Sequence, residues 1–205
     1  TPKLDQLRLL SQELEIPAHL AIIPKWADAS LVAAISQDHL VVPMVHGWSH
    51  ENHAPAGSKK AEFGYERDGL EIDATKALAR MKTLFGDAAF PCFVPPWNRI
   101  APRFVPRLAD LGYSSLSTFM PRAARLATPD LVQINTHVDP IHWRGTGGLV
   151  APETLIGHAV KILQDQRLGN ADTAEPLGLL THHLGQNNEV WEFTRTFLTV
   201  LQESG

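Results

Sequence analysis

The chain has 205 residues, 44% hydrophobic and 20% charged, enough to build one substantial hydrophobic core. A net charge of −4 argues against a nucleic-acid surface or a basic membrane-binding face, and a single cysteine, Cys92, excludes an intrachain disulfide. No apolar run approaches the roughly 18–20 residues that span a bilayer, and no charged-then-apolar leader opens the chain, so the expected compartment is the cytoplasm.

The chain starts with "TPKLDQLRLL", in which Thr1 can cap a helix and Pro2 suits its first position. Leu4, Leu7, Leu10 and Leu14 then recur at helical spacing, which predicts an amphipathic helix over 2–15. "AHLAIIP" (18–24) reads as a short buried strand and "DASLVAAIS" (28–36) as a helix with Asp28 as its cap. "LVVPMV" (40–45) is a second buried strand. It is followed by a long segment, 46–70, of the kind that is usually functional or disordered.

The alternation resumes with a helix over 71–86 closed by Gly86, a strand at "FPCFVP" (90–95) and a helix over 102–112 stopped by Gly112. "YSSLSTF" (113–119) and "LVQINTHV" (131–138) read as strands, and 152–167 as a helix. "PLGLLTH" (176–182) reads as the sixth strand. The last helix, 187–202, buries Val190, Phe193, Phe197 and Val200. Six strands mostly alternating with helices predict a largely parallel α/β fold, and residues 1–205 are expected to form one domain. No G-x-G-x-x-G follows a strand, which counts against a dinucleotide-binding sheet.

Polar residues gather where α/β folds place their chemistry, at the carboxyl ends of strands. Seven of the ten histidines lie at or just beyond predicted strand ends: His46, His50, His53, His137, His142, His182 and His183. His46 and His50, in "HGWSH", are spaced so that two imidazoles can converge on one cation, with Gly47 allowing a tight loop. Neutral imidazole suits zinc, and also cobalt, nickel or iron. Each feature also has a plain structural reading. "PPWNR" (95–99) can be a rigid turn with Trp97 as a core plug, Trp143 can be packing, and Asp139 can cap the turn before Pro140. His182 and His183 point to opposite faces if the strand runs through them.

Four segments together resemble the motif set of the polysaccharide deacetylase family, carbohydrate esterase family 4. "HGWSH" resembles its metal-binding H-[S/T]-x-x-H, "FVPPWNR" its R-x-P-[Y/W] segment, "DPIHW" its acid-plus-tryptophan motif and "LLTHH" its late L-x-H motif. The order and spacing match over about residues 40–183, and the likeness is strongest to small bacterial members carrying an "HGW-x-H-x-NHA…KKAEFG" signature. The resemblance implies a distorted (β/α)7 barrel. Its first strand, bearing an Asp-Asp pair that supplies the catalytic base and third metal ligand, is expected upstream of Thr1.

The resemblance further implies that His46 and His50 are metal ligands and that His182, or its neighbour His183, is the general acid. Pro96 and Trp97 would line the substrate groove, Trp143 would wall the acyl pocket, and Asp139 would orient a partner, although it lies four residues before the tryptophan rather than next to it. Val94 stands where the family usually has arginine, so Arg99, or Arg144, is expected to supply that charge; His53 would contact substrate. The implied activity is metal-dependent hydrolysis of an acyl group, an N-acetyl first of all, on a small-molecule or oligosaccharide substrate. The rivals are a carbohydrate-binding member without catalysis and an amidohydrolase acting on a non-sugar amide.

Overall fold

The computed structural model describes residues 1–204. Six helices form: α1 (Pro2–Leu14), α2 (Ala29–Ile35), α3 (Leu70–Phe85), α4 (Val105–Asp110), α5 (Pro152–Arg167) and α6 (Asn188–Glu203). All six lie where hydrophobic periodicity predicts them. Their starts follow capping chemistry, because the first turn of a helix leaves amide groups without intrahelical partners. Thr1 Oγ1 accepts from Leu4 N at 3.3 Å, Asp28 Oδ1 from Ser30 N at 2.8 Å, and Asn187 Oδ1 from Val190 N at 3.0 Å.

The strands are β1 (Ala18–Ile22), β2 (Val41–His46), β3 (Cys92–Val94), β4 (Ser115–Leu116), β5 (Leu126–Thr128) and β6 (Leu131–Gln133). They make one sheet in the order β1-β2-β3-β4-β6-β5, parallel throughout except for the β5–β6 hairpin. Helices α2, α3 and α4 make the successive crossovers from β1 to β4, so the carboxyl ends of these strands share one end of the sheet. The sheet is an open arc, the architecture of a distorted (β/α) barrel that does not close on itself among the described residues.

Three sequence expectations need correction. The predicted strand 176–182 is not a strand; it meets 131–138 only through an isolated parallel bridge, Val138 to Leu179. Its course beside β6 is nevertheless the predicted one, held by His137 N to Gly178 O at 2.7 Å and Leu180 N to Val138 O at 2.8 Å. The predicted strands 113–119 and 131–138 shrink to two and three residues, after which pairing continues only at the bridge Phe119 to Thr136. Finally, the sixth strand of the ladder is Leu126–Thr128, which returns along the outer side of β6. The common cause is polar side chains that take over the backbone partners of a regular ladder. Asn135 Oδ1 accepts from Thr118 N at 2.9 Å, and His137 Nδ1 accepts from Gly178 N at 3.0 Å.

The main core lies between the sheet and α1–α4. Leu4, Leu7 and Leu10 of α1 join Leu20, Ile22, Val41 and Val45 of the first two strands, together with Phe63, Phe93 and Phe104. Phe63 meets Phe93 edge-on, ring centres 4.9 Å apart, and Phe93 meets Tyr113 in the same way at 5.2 Å. A smaller cluster of Val138, Leu155, Ala159 and Phe197 packs α5 and α6 against the far side of the arc. No described helix is long and apolar enough to cross a membrane.

Candidate functional site

His46 is the last residue of β2, so the end of the strand itself delivers the first imidazole. The ring is oriented by the neighbouring strand: its Nδ1 donates to the carbonyl of Val94 at 3.0 Å, which leaves the Nε2 lone pair free. Val94 therefore contributes through its backbone, whichever side chain it carries. Burial lowers the His46 pKa to about 4, with His50 and His182 adding to the fall and the Val94 hydrogen bond opposing it. His46 is thus neutral, the form that can bind a cation, at physiological pH.

The chain then turns through Gly47 (φ +56°) to bring His50 back beside His46. A side chain at position 47 would overlap Glu62 Oε2 and lie 2.7 Å from the Pro96 ring, so glycine is required both for its backbone angle and for its lack of bulk. His50 has φ +59°, an uncommon angle for a residue with a side chain. Its ring lies 5.1 Å from that of His46 and 4.2 Å from that of Trp97, centre to centre. Trp97 itself has φ +57° in the turn after β3, the turn that sets its ring against His50.

The opposite wall comes from two segments that the 138–179 bridge joins. Asp139 Oδ1 accepts from Ile141 N at 3.0 Å, as a turn cap should. Its Oδ2 accepts from Trp143 Nε1 at 2.8 Å and stands 3.4 Å from His182 Nε2. Trp143 and His182 pack edge-to-face at 4.7 Å, and the indole is 59% exposed. The four-residue spacing from Asp139 to Trp143 is therefore accommodated by a turn that folds the indole back onto the carboxylate. His183 is half-buried, with its pKa lowered first by burial and then by the charges of His182, Lys3 and the amino terminus.

Two further predicted site residues border the loop that follows the histidines. The guanidinium of Arg99 donates to Lys60 O at 2.7 Å and so holds the 58–61 loop. His53 is exposed, with its backbone N–H bound to Ala61 O at 2.8 Å. Pro96 is buried beneath Gly47, and Arg144 is exposed.

One residue of this region was not singled out by sequence. Glu62 is 1% exposed and lies directly beneath the His46–His50 loop. Its Oε1 accepts from Ser49 N at 2.7 Å and Ser49 Oγ at 3.0 Å; its Oε2 accepts from His50 N at 3.1 Å and Trp48 N at 3.3 Å. The only signal was its place in "KKAEFG", between the apolar residues Ala61 and Phe63.

The donor set fits the histidine part of a metal centre. With zinc–nitrogen bonds of about 2.0–2.1 Å, two imidazoles sharing one ion at a tetrahedral angle have ring centres about 5 Å apart. The observed 5.1 Å agrees, and Nε2 of His46 is the free atom. Among the described residues no group of three histidine, cysteine or carboxylate side chains is gathered to complete such a site.

An open parallel arc with histidines and tryptophans at its carboxyl end defines a class of (β/α) barrel proteins with a strand-end site. Among solved structures, the chain is similar to one described as a "putative polysaccharide deacetylase from Mycobacterium smegmatis", with a TM-score of 0.69. The match covers 97% of this chain and 70% of that one at 18% sequence identity, so what the two share is the deacetylase-type fold. No family model matches the sequence, and no curated protein matches it significantly.

Proposed function

We propose that the protein is a metal-dependent hydrolase that removes an acyl group, an N-acetyl first of all, from a carbohydrate or related amide. The observation that carries this reading is the pairing of His46 and His50, ring centres 5.1 Å apart, at the carboxyl end of β2 in a deacetylase-type fold. His46 and His50 would hold a divalent ion, zinc first and cobalt, nickel or iron as alternatives; the reading requires a further protein ligand and a base beyond this pair. Once bound, such an ion polarises a carbonyl and makes water a nucleophile near neutral pH.

The chain's own groups supply the rest. His182 is the general acid: Asp139 engages its Nε2 and fixes the ring, leaving Nδ1 to carry the proton to the departing amine. An amine leaves poorly without that proton. Trp143, braced by Asp139, walls the acyl side, while Trp97 packs at a tilt against His50 and with Pro96 closes the other side against water. Of the doubled pair, His182 is the one beside Asp139 and Trp143.

The test combines metal titration by calorimetry with an acetate-release screen on acetylated sugars and simple amides. His46→Ala and His50→Ala are expected to abolish metal binding. His182→Ala should keep the metal and lose turnover by about 10²–10⁴-fold, the usual worth of a positioned general acid. Retained metal in both of the first two variants sinks the ligand assignment. Binding of acetylated oligosaccharide without acetate release would point to a carbohydrate-binding protein, and release from simple amides alone to an amidohydrolase.

A further inference from the structure

Glu62 presents an unusual balance of charge. It is a carboxyl group removed from water; among the described residues no lysine, arginine or histidine side chain pairs with its carboxylate oxygens, and Arg67 reaches only its backbone carbonyl, at 3.5 Å. A carboxylate offers about four acceptor positions, and here all four are filled by donors: three backbone N–H groups and one hydroxyl. Every group facing the carboxylate donates to it. Having no acceptor position to spare, Glu62 cannot itself be the missing metal ligand.

All four donors belong to Trp48, Ser49 and His50, the three residues that link Gly47 to the second imidazole. The carbonyls of the same turn are tied from the other side, Trp48 O by Lys25 N at 3.0 Å and Ser49 O by Trp26 Nε1 at 3.1 Å. The left-handed backbone of His50 is therefore held by a clamp whose amide half is a single carboxylate.

We infer that Glu62 is a positioning residue for the histidine pair: its buried carboxylate locks the 48–50 turn so that His50 faces His46. This rests on the metal-site reading above and adds a residue that acts through His50 without touching the ion. Carboxylates in this indirect role typically contribute 10–100-fold in metal affinity.

The experiment measures zinc affinity by competition with a chromophoric chelator, alongside thermal melting of the metal-free protein. Glu62→Gln keeps the size but loses the charge and turns an NH2 toward N–H donors; a 10–100-fold weaker affinity is expected. Glu62→Asp keeps the charge with a shorter reach and should recover part of that loss. A Glu62→Gln protein that folds and binds zinc within twofold of wild type overturns the inference. If Glu62→Gln does not fold, Glu62→Asp decides: weakened zinc binding supports the role, whereas a lowered melting temperature with unchanged affinity makes Glu62 purely structural. Wild-type protein that binds no zinc, cobalt or nickel overturns the metal-site reading as well, which separates the two failures.

Discussion

Cys92 and His46 show burial acting on two side chains in opposite senses. Both stand on neighbouring strands, and in both desolvation disfavours the charged form. For the imidazole this keeps a lone pair available; for the thiol it removes reactivity. The Cys92 pKa is pushed up to about 11 from 9.0 by burial, against a weaker opposing influence of the neighbouring Ser115. Its thiolate is therefore scarce at pH 8, and a disulfide reagent should modify the native protein far more slowly than the denatured chain. The same shift makes stability depend on pH. A raised folded-state pKa gives stability that is complete below pH 9, where neither state is ionised. It is lost toward pH 11 as the unfolded chain gains by deprotonating, at up to about 1.4 kcal/mol per pH unit. Urea midpoints should fall between pH 9 and 10 in the wild type, and less steeply in Cys92→Ala.

At the scale of elements, the segment 170–180 is held by polar contacts in place of a strand ladder. Glu175 is buried and accepts from Arg122 N at 2.9 Å and Asn135 N at 3.2 Å, and Arg122 also pairs with Asp172 at 2.9 Å. His137 is completely buried: its Nδ1 takes the Gly178 N–H, while its Nε2–H is 3.3 Å from Glu175 Oε2 but poorly aligned for a hydrogen bond. This network brings Asp139 and His182 to the same wall, because the 138–179 bridge separates them by only a few residues on each side. Gly178 is its tightest point, where a Cβ would lie 2.6 Å from Asn135 O and 2.9 Å from Thr136 Cα. Those are backbone atoms that cannot swing aside. Gly178→Ala is expected to cost about 1–3 kcal/mol by denaturant unfolding, as overpacking does, and to lower turnover by moving His182 relative to Asp139.

Across the whole molecule, the aromatic cluster connects the site to the core. Phe63 follows Glu62 directly and contacts Phe93 of β3 and Phe104 ahead of α4, so the residue beneath the histidine turn is anchored in the main core. Phe93 in turn reaches Tyr113, whose hydroxyl donates to Ala74 O of α3 at 2.8 Å. Phe93→Ala should therefore cost about 3–5 kcal/mol of stability, read from chemical denaturation. Phe63→Ala should cost a similar amount and in addition weaken zinc binding, because it loosens the footing of Glu62. Equal zinc affinity in the two variants would separate the core from the site.

Features that depend on near neighbours are legible in the residue pattern. Leucines every three or four residues place α1, the apolar run at 41–45 gives β2, and the alternation of helices and strands gives the parallel order that collects the histidines at one end. His46 and His50 are legible for the same reason: they stand four positions apart, and one of the three residues between them is a glycine. Tertiary structure alone decided what lies further along the chain. It set the Val94 carbonyl that orients His46, the choice of His182 over His183 to face Asp139, the broken ladder at 176–182, and the Glu62 carboxylate under the turn. The physical reason is shared by all four. A buried polar group must find a partner, and that partner is chosen by which segments packing brings together, a relation that local periodicity does not encode.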